Sequence, residues 1–194
     1  MIPRDMPGYS PNIGIEFDAQ RGRELLRKAG YPDGKGFPEL EIFTHPGGAT
    51  RGKYLCDAWQ KYLGIHAHCR VLDFAELIRS LDNEPPAIFM TGWTASMPDP
   101  IAFLRGPLEV EWFGDEVEGY RELVEASTRV SNPEDRARAY QGADRQLIES
   151  GMLIPLNYAR RNLLVKPHVI KFPVPALGNW FLKDVLLQQP EQSL

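Results

Sequence analysis

The chain has 194 residues, with 22 Lys and Arg against 26 Asp and Glu, and is 43% hydrophobic and 25% charged. A net charge of −4 with dispersed basic residues, Arg160–Arg161 being the densest pair, excludes the clustered cationic surface that nucleic acids require. No apolar run approaches the roughly 20 residues that span a bilayer, and MIPRDMPGYSPN lacks the charged-then-apolar layout of a secretion signal.

In chain order, residues 1–17 hold Pro3, Pro7, Gly8, Pro11 and Gly14 and read as an extended lead-in. Asp18 is placed to cap a helix, AQRGRELLRKA, with Leu25, Leu26 and Ala29 as its apolar stripe and Gly30 as its stop. ELEIFTH (39–45) alternates like a strand, PGGATRG is a loop, and KYLCDAWQKYL is a helix ended by Gly64. IHAHCRVL (65–72) is the second strand. Asp73 and Glu76 fit the capping box of a helix over DFAELIRSL. AIFMT (87–91), short and wholly apolar, reads as a central strand covered on both faces.

Two longer helices follow. Val117, Tyr120, Leu123 and Val124 share one face of the first, and Ala137, Tyr140, Leu147 and Ile148 one face of the second. Asn132, Pro133 and Gly151 mark the second helix's cap, first turn and stop. MLIPLNY (152–158) and NLLVKP (162–167) read as paired strands. Strands alternate with helices over 39–91, so the fold class is α/β with a mostly parallel sheet flanked by helices.

Motifs with chemistry are few. His66 and His68 of HAHC lie on one face of a strand and Cys69 on the other, a spacing that suits surface histidines better than a zinc site. Cys56 and Cys69 make no disulfide framework and read as free thiols. PGG (46–48) reads as a plain loop rather than an anion cradle. Asp99, Glu109, Glu111, Asp115, Glu116 and Glu118 read as a solvated acidic surface. No nucleophile elbow, phosphate loop or zinc-helix motif occurs, so no catalytic residue, metal or cofactor is assigned. The loop GWTASMPDP (92–100) leaves the carboxyl end of the third strand, where ligands gather on open α/β sheets. Trp93 there is either a lid on the core or a wall for a ligand, and the residues alone favour neither.

Several stretches together, in order, resemble one family: FDAQRGRELLRKAGYPDGKGFPELEI, LGIHAHCRVLDFAELIRSL, GWTASMPDPIAFL, IPLNYARRNLLVKPHVIKF and FLKDVLL. The likeness, over about residues 5–187, is to the C-terminal lobe of the family 5 extracellular solute-binding proteins of ABC importers. It implies a class II periplasmic-binding-protein-like lobe over residues 18–177. Residues 1–17 are then an interlobe lead-in, and 178–194 a tail returning to a first lobe that this chain lacks, so residues around 178–187 are expected without their usual sheet partner.

The implied site is the cleft-lining loop, with Gly92, Trp93, Thr94, Ala95, Ser96 and Asp99 facing a peptide-like or other small solute. Relatives usually carry Asp where this chain has Ser96. The implied setting is periplasmic or extracellular, with an ABC permease as partner and self-association through the orphan lobe face. A ligand-sensing regulatory module of the same fold, fused to a signalling or transcription partner, is the alternative.

Overall fold

A computed structural model of the chain describes residues 1–110, 117–160, 162–174 and 180–188. Glu111, Asp115 and Glu116 of the acidic run, Arg161 of the basic pair, and residues 178, 179 and 189–194 of the tail lie outside the described residues. The chain clusters into two compact units: Gly14–Trp93 with Pro107–Glu116, and Met1–Ile13 with Thr94–Gly106 and Val117–Leu194.

In the unit built on Gly14–Trp93, Asp18 caps helix α1 (Ala19–Lys28), its carboxylate accepting from the Arg21 amide at 2.9 Å. The apolar stripe expected on α1 is not buried: Leu25 is exposed, and none of the helix's residues is fully covered. The cause is its position. α1 packs chiefly on the next helix rather than on the sheet, and Arg23 donates to the Tyr62 carbonyl near that helix's end at 3.1 Å. Strand β1 (Leu40–Thr44), helix α2 (Ala49–Leu63), strand β2 (Ala67–Val71), helix α3 (Phe74–Asn83) and strand β3 (Ile88–Met90) follow. Gly64 ends α2 at φ +71°, a left-handed conformation in which a side chain would be strained. Asp73 caps α3 by accepting from the Glu76 amide at 2.8 Å.

The three strands are parallel in the order β2–β1–β3, with Ile42 opposite both Cys69 and Ile88. This corrects the expectation for AIFMT: β3 is an edge strand of the described sheet, and β1 is central. The apolarity of β3 has another source, because helices cover both faces of the sheet. Ile42 and Met90 pack with Cys56, against Leu55 and Trp59 of α2. Phe43 and Leu72 pack with Leu77 and Leu81 of α3, and Phe89 joins them. Both cysteines are free thiols. Burial raises the pKa of each, with Cys69 adding to the rise at Cys56.

The second unit is helical. Short helices α4 (Ile101–Leu104) and α5 (Gly106–Glu109, only its first residue in this unit) precede α6 (Tyr120–Thr128) and α7 (Pro133–Glu149). Asn132 caps α7, accepting from the amides of Glu134 and Asp135. Helices α6 and α7 pack on each other, and Tyr120 and Val124 of the first and Tyr140, Ala143, Leu147 and Ile148 of the second are buried. The Tyr120 hydroxyl donates to the Leu104 carbonyl at 2.7 Å, which ties α4 to α6.

The lead-in departs from the extended form expected of it. Ile2, Gly8 and Ile13 are buried, the Ile2 amide donates to buried Asp144 at 3.2 Å, and Tyr158 donates to the Ile2 carbonyl at 2.8 Å. Apolar Ile2 and Ile13 among the prolines are what fold this segment inward.

The strands expected at 152–158 and 162–167 do not form among the described residues. Ile154, Leu156, Leu163 and Leu164 are exposed there. Alternation supplies the side-chain pattern of a strand, but a lone hairpin with no layer to cover it is marginal in water. Farther on, Val169–Ile170 (β4) pair antiparallel with Leu186–Leu187 (β5), so those tail residues have a short partner within the chain.

Candidate functional site

The loop after β3 is held at both of its roots. At the first root, Thr44 of β1 is fully buried and donates from Oγ1 to the Met90 carbonyl at 3.2 Å, which fixes the end of the strand. At the second root, Asp99 Oδ1 accepts from the Ile101 amide at 2.9 Å, starting α4, and from the Tyr140 hydroxyl at 3.1 Å. Pro100 and Ile101 beyond it are buried. Between the roots the chain passes from one unit to the other, Gly92 and Trp93 closing the first and Thr94 opening the second segment.

The six residues expected at the site do not share one environment. Gly92 is exposed, and a Cβ built there would meet nothing within 4 Å. Trp93 has 38% of its surface accessible, so the lid reading, which needs the indole sealed in the core, does not hold. Thr94 and Ser96 are exposed, and both carry hydroxyls. Ala95 is 5% exposed, so its methyl acts as a peg for the loop. Asp99 is half-buried and engaged through Oδ1, which makes it a structural acid of the loop's root.

Two residues of the loop's roots are not marked as such in the sequence: Thr44 reads there as a strand residue and Tyr140 as part of an apolar helix face. For Tyr140 a signal existed, since a buried tyrosine hydroxyl needs a polar partner. Burial first, and the neighbouring Asp99 carboxylate second, raise the Tyr140 pKa, so it stays a donor throughout the neutral range.

Elsewhere the chemistry is modest. His68 Nε2 lies 2.6 Å from Glu39 Oε1 on an exposed sheet face, while Cys69 on the other face joins the packing around Cys56. No group of three or more His, Cys, Asp or Glu among the described residues is placed to hold a metal ion. At PGG, the Gly47 amide already donates to His45 Nδ1 at 3.2 Å. No helix among the described residues is long and apolar enough to cross a membrane.

Comparisons with known proteins bear on the family and the fold. Residues 1–112 match the model of "Bacterial extracellular solute-binding proteins, family 5 Middle". A curated relative, the probable di/tripeptide-binding protein 5 of Pseudomonas aeruginosa, is 27% identical over 190 residues, covering 90% of this chain and 34% of the relative. Among solved structures, the ABC transporter-associated periplasmic binding protein DppA from Helicobacter pylori, in complex with the peptide STSA, is 27% identical. It aligns with a TM-score of 0.66 over 79% of this chain and 31% of that one. The Escherichia coli murein tripeptide binding protein MppA, 16% identical, shows the same fold with a TM-score of 0.80 over 97% of this chain and 39% of its own. The chain thus spans about a third of the length of the curated relatives it matches.

Proposed function

Because the chain belongs to the family 5 bacterial extracellular solute-binding proteins, we propose that it is the C-terminal solute-binding lobe of an ABC importer's binding component. In this reading residues 18–177 are the lobe, 1–17 come from the interlobe crossing, and 178–194 return toward a first lobe. The protein is not an enzyme, works outside the cytoplasm, and delivers its solute to a membrane permease by shifting between open and closed forms. The observation that carries the reading is the half-exposed Trp93, on a loop rooted at the carboxyl end of a parallel strand.

Physically, an aromatic wall with a few polar groups beside it is how a pocket buries a small solute and fixes its orientation. Trp93 supplies the wall, Gly92 leaves room beside it, and Thr94 and Ser96 supply hydroxyls. The relatives' names point to di- and tripeptides as the class of solute. Residue 96 modifies that expectation. A hydroxyl does not neutralise a desolvated ammonium, and a buried unpaired charge costs several kcal/mol. Asp99 is a poorer partner, because it is half-buried at the loop's root and its Oδ1 already serves Ile101 and Tyr140. The solute group that meets Ser96 is therefore neutral, such as an amide or hydroxyl.

Calorimetry on the natural full-length protein tests this. N-acetyl-trialanine amide should bind at least tenfold more tightly than trialanine, and Ser96→Asp should reverse the order. Tight binding of trialanine by the natural protein would reject the neutral-group assignment. Binding of neither peptide, nor of any other di- or tripeptide, would reject the peptide-like class.

A further inference from the structure

We infer that Tyr140 is a positioning residue: through Asp99 it sets the conformation of loop 94–98, and it joins that loop to the N-terminal segment 1–13. The part of this that concerns affinity rests on the reading above; the part that concerns the loop's order does not.

Three distant stretches of one unit converge on this side chain. Tyr140 is 3% exposed on α7, and its hydroxyl donates to Asp99 Oδ1 at 3.1 Å. The same oxygen accepts from the Ile101 amide at 2.9 Å, so one carboxylate both starts α4 and receives the tyrosine. On another side, Gly8 lies against the helix at φ +84°, where a Cβ would come within 2.9 Å of Tyr140 Cβ and 3.2 Å of the Ala137 carbonyl oxygen. Gln141, the next residue of α7, donates to the Tyr9 carbonyl at 3.4 Å. The N-terminal segment thus fits flush on the turn of helix that carries Tyr140.

The loop is built so that this contact matters. Ala95 and Pro100 are buried pegs, and Ser96, Met97 and Pro98 between them are exposed. Among the described residues Ser96, Met97 and Pro98 make no hydrogen bond, so the tip takes its conformation from its stem, and Asp99 is the stem's polar fixing point. Phenylalanine at 140 would keep the ring's packing and remove only the donor, leaving a half-buried carboxylate with one hydrogen bond fewer. Effects of that kind appear first as local opening, well before global unfolding.

The test uses the natural full-length protein and amide hydrogen exchange read by segment. Tyr140→Phe should speed exchange over residues 94–101 roughly tenfold, with exchange in β1, α2 and β2 unchanged. Asp99→Asn keeps an acceptor oxygen and should restore near-natural exchange, whereas Asp99→Ala should match or exceed Tyr140→Phe. Affinity for N-acetyl-trialanine amide should fall in step, by roughly tenfold in Tyr140→Phe. Unchanged exchange at 94–101 in both Tyr140→Phe and Asp99→Ala overturns the inference. Faster exchange with undiminished peptide affinity upholds Tyr140 as the loop's anchor and counts instead against the loop as a binding element.

Discussion

The unit of Gly14–Trp93 and the unit containing α6 and α7 reach a buried core by different routes. The first is nearly continuous in sequence, and its strands, helices and caps succeed one another with each buried face supplied by near neighbours: Phe43 and Leu72 by α3, Ile42 and Met90 by α2. The second is assembled from three separated stretches, and its core depends on contacts as remote as Ile2 with Asp144 and Tyr158. It also carries exposed apolar side chains, Ile154, Leu156, Leu163, Leu164 and Val165, over which no strand or helix layer is packed among the described residues. Local pattern is enough to build one unit, whereas the other needs partners that pattern does not name.

That contrast can be broken by substitution, and the largest effect belongs to the sheet core. Leu77 is completely buried between α3 and the sheet, so Leu77→Ala should cost about 2–5 kcal/mol, read as a lower urea midpoint. A cost below about 1 kcal/mol would mean that the sheet's second face is not packed as described.

A smaller effect comes from the helical unit under alkali. Burial, and then repulsion by Asp144, raise the Tyr120 pKa well above its ordinary value. The folded chain therefore holds this proton more tightly than the unfolded chain. The corresponding stability is complete below about pH 10 and is lost as pH rises beyond it. Tyr120→Phe should lower neutral-pH stability by about 1–2 kcal/mol, through loss of the bond to Leu104, and flatten the decline above pH 10. An equally steep alkaline decline in the variant would assign it to other groups.

The smallest effect on stability belongs to Leu164, whose side chain is fully exposed. Leu164→Ser should shift stability by less than about 0.5 kcal/mol. It should also weaken self-association of the isolated chain, which sedimentation at increasing concentration would measure. A large destabilisation would mean that the segment is packed after all.

How much the sequence discloses follows the same division. Asp18, Asp73 and Asn132 are legible as caps because a cap is a contact with residues two or three positions away. β1 and β2 are legible from alternation, and the ordered resemblance extends the reading to the family. The place of β3 at the sheet's edge is not legible, since two-sided burial gives an edge strand the same apolar run as a central one. Nor is the loose state of 152–167, because alternation specifies faces and says nothing of a neighbour to pair with. Trp93 and its loop are legible as a candidate from their position after a strand. The commitment of Asp99 was hidden, because its partner lies 41 residues away.

The central claim is that the indole of Trp93 contacts the solute, and native mass spectrometry of the natural full-length protein tests it most directly. Purified gently, that protein should carry a small molecule that Trp93→Ala loses, with both proteins melting within a few degrees of each other. If the variant retains the same mass at the same occupancy, Trp93 is a surface residue and the solute sits elsewhere.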